Sequence, residues 1–253
     1  MEKKTILKHI GSILFFVTIT FIFFLPQYQG KELVQGDQVK WHGMAEEAKK
    51  YHEETGNNVA WCGSMFSGMP GYTANVKHNY PNALNYIEKP FYLFDYHTGG
   101  IILFSLVCGY IFCLVFGCSI PIALLGAVAF AFSSYFPIII EAGHMTKAWV
   151  IATMPLVIAS LILIMKRKWI AGGLLFAYSL TDNIRHAHIQ ITYYLLILCL
   201  FIYVGYLISK IKEKKFEELA KSTGVMILGV SIAVVLNSAS LYGNYEMGKR
   251  FSH

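Results

Sequence analysis

Long apolar runs, broken by short polar or basic stretches, dominate this chain. Runs of this length match the thickness of a bilayer's hydrocarbon core. They predict helical spans over residues 9–26, 99–117, 119–138, 148–165, 169–181, 189–209 and 222–241. The fifth is too short to cross alone unless Thr181 to Arg185 continues it or it enters a protein-lined cavity. The first follows Lys3, Lys4 and Lys8 as a signal peptide would. Its end, Phe23-Phe24-Leu25-Pro26-Gln27-Tyr28, lacks small residues at a cleavage spacing and reads as a retained anchor. Between Gln27 and Thr98 the chain is polar, with helical charge patterning from Met44 to Glu54 and turn signals at Gly63, Gly68, Pro70 and Gly71. The expected architecture is therefore all-α and integral to a membrane: about seven transmembrane helices, a large first loop over 27–98 and a helical bundle over 99–241.

Composition agrees. Of 253 residues, 55% are hydrophobic and 14% charged, against roughly 25% charged in ordinary globular chains. A soluble core could not hide so many apolar runs. Cys108, Cys113, Cys118 and Cys199 sit in or beside those runs, and Cys62 stands alone in the polar loop; with no CxxC spacing they read as small packing residues. The net charge of +6 would suit nucleic acid if it were spread over a surface. Instead it gathers in short clusters beside apolar runs, which points to topology and to no nucleic-acid partner. With a cytoplasmic N-terminus, segments 1–9, 166–168 and 210–221 carry eleven Lys/Arg against four acids, and everything else carries ten against eleven. That bias satisfies the positive-inside rule and predicts a multi-pass protein of the cytoplasmic membrane.

This topology puts four polar stretches on the opposite, extracytoplasmic side: Gln35 to Gln38, Glu141 to Lys147, Asp182 to Gln190, and Tyr242 to His253. Eight of the nine histidines fall there too, His9 being the exception. Ionisable groups at span ends are costly and commonly functional. Each stretch also has a plainer reading. Asp37 suits a solvated turn. Glu141 and His144, spaced i, i+3, share a helical face and could bind each other or a metal, yet any loop between spans must be polar. His186 and His188, spaced i, i+2, share a face only in an extended segment. Arg185 suits a bidentate phosphate contact and equally a headgroup anchor. Tyr193-Tyr194 suits an interfacial aromatic belt. The chain has no Gly-rich phosphate loop, no Ser-His-Asp set, no zinc motif and no evident internal repeat.

Certain stretches are nonetheless familiar together. Ala129-Phe130-Ala131-Phe132-Ser133-Ser134-Tyr135-Phe136, then Glu141-Ala142-Gly143-His144 and Lys147, resemble the YfhO-like membrane proteins. So do Asp37 with Trp41, Ser64 to Pro70, Arg185 with His188, Gln190, Thr192, Tyr193 and Tyr194, and Tyr245-Glu246 with Gly248-Lys249. The resemblance runs in order from about residue 20 to 250. It implies a GT-C-like transmembrane domain over 1–253, an incomplete part of a longer family architecture, and transfer of a sugar from a polyprenyl-phosphate donor to a cell-envelope acceptor outside the membrane. By the same carry-over Asp37 is the catalytic acid of the first external loop, and Glu141, His144, Lys147, Arg185, His188 and Gln190 line the donor pocket. Asp37 would take the proton of an acceptor hydroxyl. Arg185, Lys147 or a divalent metal would meet the charge on the leaving lipid phosphate, with Glu141 and His144 orienting groups or binding that metal. Only Glu32 accompanies Asp37, so a paired-acid metal motif is absent. The competing expectation is a non-catalytic scaffold or a lipid-carrier transport component. A transport route should show polar span interiors, and the middles of spans two, three, six and seven are nearly free of charge. A metal-dependent hydrolase using His144, His186 and His188 lacks ligand spacing.

Overall fold

In hydrocarbon a backbone must bond to itself, so the apolar runs become helices. The structure, a computed structural model, describes residues 3–64, 67–71, 89–91 and 97–251. Helix α1 covers Lys3–Phe23 and is followed by the short α2, Leu25–Tyr28. Helix α3, Gly36–Thr55, lies in the polar loop and ends at Gly56, whose φ of 70° closes its last turn. A pair of two-residue strands, β1 (Trp61–Cys62) and β2 (Met69–Pro70), runs antiparallel beside it. Buried Cys62 packs against Ala48 of α3. Residues 65–66, 72–88 and 92–96 of the expected 27–98 loop lie outside the described residues.

The bundle follows: α4 His97–Phe116, α5 Ile120–Ala131, α6 Tyr135–Ala142, α7 Met145–Met165, α8 Trp169–Arg185, α9 Ile189–Lys212, α10 Phe216–Leu236 and α11 Ser238–Phe251. Among the described residues six helical stretches are long and apolar enough to cross a membrane: α1, α4, α5 with α6, α7, α9 and α10. The multi-pass membrane architecture expected from the runs is present. The expected fifth span is α8. Its helix does continue through Thr181 to Arg185, giving 17 residues, or ~25 Å at ~1.5 Å per residue.

Helices α4 and α7 form the centre. Phe16 of α1, Phe104 of α4, Ala127 of α5, Phe136 of α6 and Trp149 of α7 share one buried cluster. Val157 and Ile164 of α7, Phe176 and Leu180 of α8, Leu195 of α9 and Ala233 of α10 share a second. Outward-facing residues are apolar too: Leu125, Leu174, Phe201 and Ile227 are all more than 60% exposed. In water such a surface would aggregate; against acyl chains it is the expected surface.

Two expected spans are interrupted. The third breaks at Phe132–Ser134 between α5 and α6, and Pro137 sits in the first turn of α6, where its missing N–H costs nothing. The seventh ends at Asn237, which separates α10 from α11. The buried Asn237 amide donates to Thr181 O at 3.1 Å and Ala233 O at 2.9 Å.

The helix ends sort into two faces. At the basic end, Lys166 Nζ donates to Val115 O at 2.6 Å, and the carboxylate of Glu218 meets both Arg167 and Lys210. At the polar end lie the N-terminus of α4, where Thr98 donates to Gln27 at 2.7 Å, the loop between α6 and α7, and the turn between α8 and α9.

The α7–α8 hairpin closes on Gly172, where a Cβ would lie 2.7 Å from the backbone nitrogen of Ile164. Gly172→Val should therefore pry α7 from α8 and destabilise the protein by about 1–3 kcal/mol. Thermal unfolding in detergent reads the effect; an unchanged melting temperature would contradict this packing.

Candidate functional site

The polar loop reaches the bundle through the first turn of α3. Gln35, its N-cap residue, donates its side-chain amide to the carbonyl of Ile140 at the end of α6. Gln38 does the same to Gly143 O at 3.1 Å. Each carbonyl also takes a backbone N–H, Ile140 O from Gly143 at 3.0 Å and Gly143 O from Met145 at 2.9 Å, so the glutamine amides add a second donor to an already closed helix end. Gly143 permits the approach in two ways. Its φ is +93°, and a Cβ there would sit 3.1 Å from Gln38 N and 3.3 Å from the Cβ of Asp37. The left-handed turn ends α6 and re-aims the chain into α7, placing His144 opposite Asp37.

Asp37 Oδ2 lies 3.1 Å from His144 Nδ1, and Lys40 Nζ is 3.9 Å from Oδ1. Both side chains of the Asp37–His144 pair remain about half exposed, at 47% and 48%. A pair this wet contributes at most ~1 kcal/mol, so the docking rests on the two glutamine amides and the packing around Gly143. What the pair supplies is a solvent-reachable carboxylate with an imidazole beside it.

A cleft of ≈ 240 Å³ opens next to this junction. Phe23, Phe24, Leu33, Ile102, Pro137 and Ile140 make it apolar, with Gln27 and Glu141 at its polar rim. An apolar groove beside an accessible carboxylate can hold the hydrocarbon part of an amphiphile while its polar end meets water.

A second cluster lies inside the bundle near the same end. Asn183 donates to Val150 O at 3.0 Å and Thr153 Oγ1 at 2.6 Å and accepts from Thr192 at 2.9 Å. Asp182 is fully buried, with Oδ1 3.1 Å from the guanidinium of Arg185. The His186 ring stacks on Trp149, centroids 5.1 Å apart and planes 5° from parallel. Asp182 and Asn183 are buried polar residues at this end, Asn183 bonded to three partners and Asp182 to Arg185, and neither stood among the expected site residues. Their only signal in the sequence is two polar residues ending an apolar run on the face that α8 turns inward.

The expected residues divide. Asp37 and His144 meet. Glu141 is exposed at the cleft rim, and among the described residues no hydrogen bond or ion pair joins it to His144. Their i, i+3 spacing fails to pair them because α6 stops at Ala142 and Gly143 breaks the helical register. Lys147 lies over the Tyr135 ring at 5.4 Å. Arg185 is held by Asp182. His188 is the N-cap residue of α9, and exposed Gln190 bonds Tyr194 at 3.1 Å. Among the described residues no hydrogen bond or ion pair joins His188 or Gln190 to Asp37 or His144. Nor do three or more His, Cys, Asp or Glu side chains gather there as metal ligands; Asp37 and His144 alone offer two.

No family model, curated protein or solved structure matches this chain.

Gly143→Ala should loosen α3 from the bundle: amide hydrogen exchange across residues 36–43 should speed up while the α7 core stays protected. Equal protection in both proteins would show that the close approach is unnecessary. The two clusters should also differ in stability. Asn183→Ala orphans buried partners and should cost about 2 kcal/mol, whereas Asp37→Asn should cost less than about 1 kcal/mol. Melts in one detergent would check this, and a reversed order would refute it.

Proposed function

We propose that this chain is a membrane glycosyltransferase of the YfhO-like, GT-C kind. It would move a sugar from a polyprenyl-phosphate donor to an acceptor outside the cytoplasmic membrane. The observation that carries the reading is the half-exposed Asp37 carboxylate, held 3.1 Å from His144 beside an apolar cleft at the span ends. In that orientation the basic end faces the cytoplasm, in keeping with the positive-inside bias, and Asp37 faces outward. The acceptor and the donor's sugar-phosphate would then meet at the outer leaflet, with the polyprenyl chain against apolar residues such as Phe24 and Ile140.

The chemistry assigned to these residues is a single displacement. The acceptor hydroxyl oxygen bonds to the anomeric carbon, its proton passes to Asp37, and the anomeric carbon–oxygen bond to the lipid phosphate breaks. His144 orients the carboxylate. The departing phosphate carries the negative charge away, so it needs a cation in reach. Arg185 and Lys147 are the residues we assign to it, with His188, Gln190 and Glu141 around the donor.

One observation favours a second reading, a membrane component without chemistry of its own. Most polar groups from Asp182 to Thr192 are already engaged within the bundle, as structural residues would be.

Membranes carrying the chain should transfer labelled sugar from a polyprenyl-phosphate donor. Asp37→Asn should lower the rate by about 10²–10⁴-fold with the melting temperature nearly unchanged. Full-rate transfer by the Asp37→Asn variant would remove Asp37 from the role. Failure of the unaltered protein with every polyprenyl-phosphate sugar offered would favour the non-catalytic reading.

A further inference from the structure

The basic end carries more positive charge than its own acids can neutralise. In segments 166–168 and 210–221 there are eight Lys/Arg and three glutamates. All three glutamates are engaged. Glu213 meets Lys215 at 2.7 Å and Lys210 at 3.3 Å, and these bonds, with one from Ser209, hold its carboxyl down to about 2. Glu217 meets Lys221 at 2.6 Å, and Glu218 meets Arg167 and Lys210. Among the described residues Lys168, Lys212 and Lys214 make no ion pair, and all three are exposed.

These spare charges come from two loops that the fold ties together. Arg167, in the α7–α8 loop, reaches Glu218 in the first turn of α10. Trp169 Nε1 donates to Ser222 Oγ at 3.2 Å, and Lys221 lies over the Trp169 ring at 5.2 Å. The loops therefore form one surface where the spans leave the hydrocarbon, with an indole at the boundary, the depth at which tryptophan anchors membrane proteins. Lipid phosphates lie at this depth.

We propose that this surface binds the headgroups of anionic phospholipids, through Lys168, Lys212 and Lys214, in the leaflet it faces. Charge complementarity selects the occupant. The resident acids are already paired, so the three ammonium groups are left to the nearest external anions, and at a membrane surface those are lipid phosphates without a compensating choline or ethanolamine. The ion-paired cations Arg167, Lys210 and Lys215 hold the loops in place rather than binding lipid. This inference is independent of the chemistry assigned to Asp37.

The test uses the purified full chain in micelles containing equal phosphatidylglycerol and phosphatidylcholine, with retained lipid counted by native mass spectrometry. The unaltered protein should retain phosphatidylglycerol preferentially. In the triple variant Lys168→Gln, Lys212→Gln and Lys214→Gln that preference should fall on the order of tenfold. Lys31→Gln, Lys49→Gln and Lys50→Gln, which removes the same charge from the polar loop, should leave it intact. Raising salt should erode the preference of the unaltered protein, a measurement that needs no variant. Three results would each overturn the proposal: equal preference in the two triple variants, a preference insensitive to salt, or displacement of the lipid by millimolar inorganic phosphate. The last would mark the surface as a site for free phosphate instead.

Discussion

Inside a bilayer no water is available to take a freed N–H or C=O, and this constraint organises the whole molecule. Where the third span breaks at Phe132–Ser134 the chain keeps bonding to itself, Ser133 N to Phe130 O at 3.3 Å and Phe136 N to Ser133 O at 3.1 Å. The break at Asn237 is filled by its own amide, which bonds one carbonyl of α10 and another of α8. The end of α6 is closed by Gly143 N–H on Ile140 O and His144 N–H on Ile139 O, and Gln35 and Gln38 of the polar loop add side-chain donors there. The basic end instead turns the chain with tight loops whose cations cap carbonyls, as Lys166 does at Val115. Irregular backbone occurs at both ends, with left-handed turns at Gly117, Arg167 and Lys214 on the basic side and at Gly143 and Ala187 on the polar side.

The candidate site follows from this. Capping α6 brings α3 against the bundle, and the absent side chain of Gly143 lets it come close enough for Asp37 to reach His144. Each residue of the pair is ordinary on its own element. The geometry belongs to the junction, where two glutamine amides and the bare Cα of Gly143 bring the elements together.

The spans were legible in the sequence because a crossing requires a long apolar run, and little else produces one. Their boundaries were less so. Thr181 to Arg185 look like loop residues, yet α8 carries them as helix, since Asn183 finds Val150, Thr153 and Thr192 and Asp182 finds Arg185. Asn237 stands near the end of the seventh apolar run, and its role depends on Thr181, 56 residues away. The meeting of Asp37 with His144 was equally out of reach, because spacing speaks only for neighbours on one element. Glu141 and His144 show the converse: a helical spacing suggested a pair that a single left-handed glycine undoes.

The Asn237 bond also bears on how the protein is made. Helix α8 emerges from the ribosome with Asp182 and Asn183 near one end, before Thr192 of α9 and Asn237 at the end of α10 exist to bond that region. A polar pair of this kind weakens spontaneous entry of a helix into lipid. Val150 and Thr153 of α7 are already present, and they are the partners Asn183 uses. The α7–α8 hairpin is thus equipped to enter the bilayer as a unit, with α10 sealing it once translation has delivered the last span.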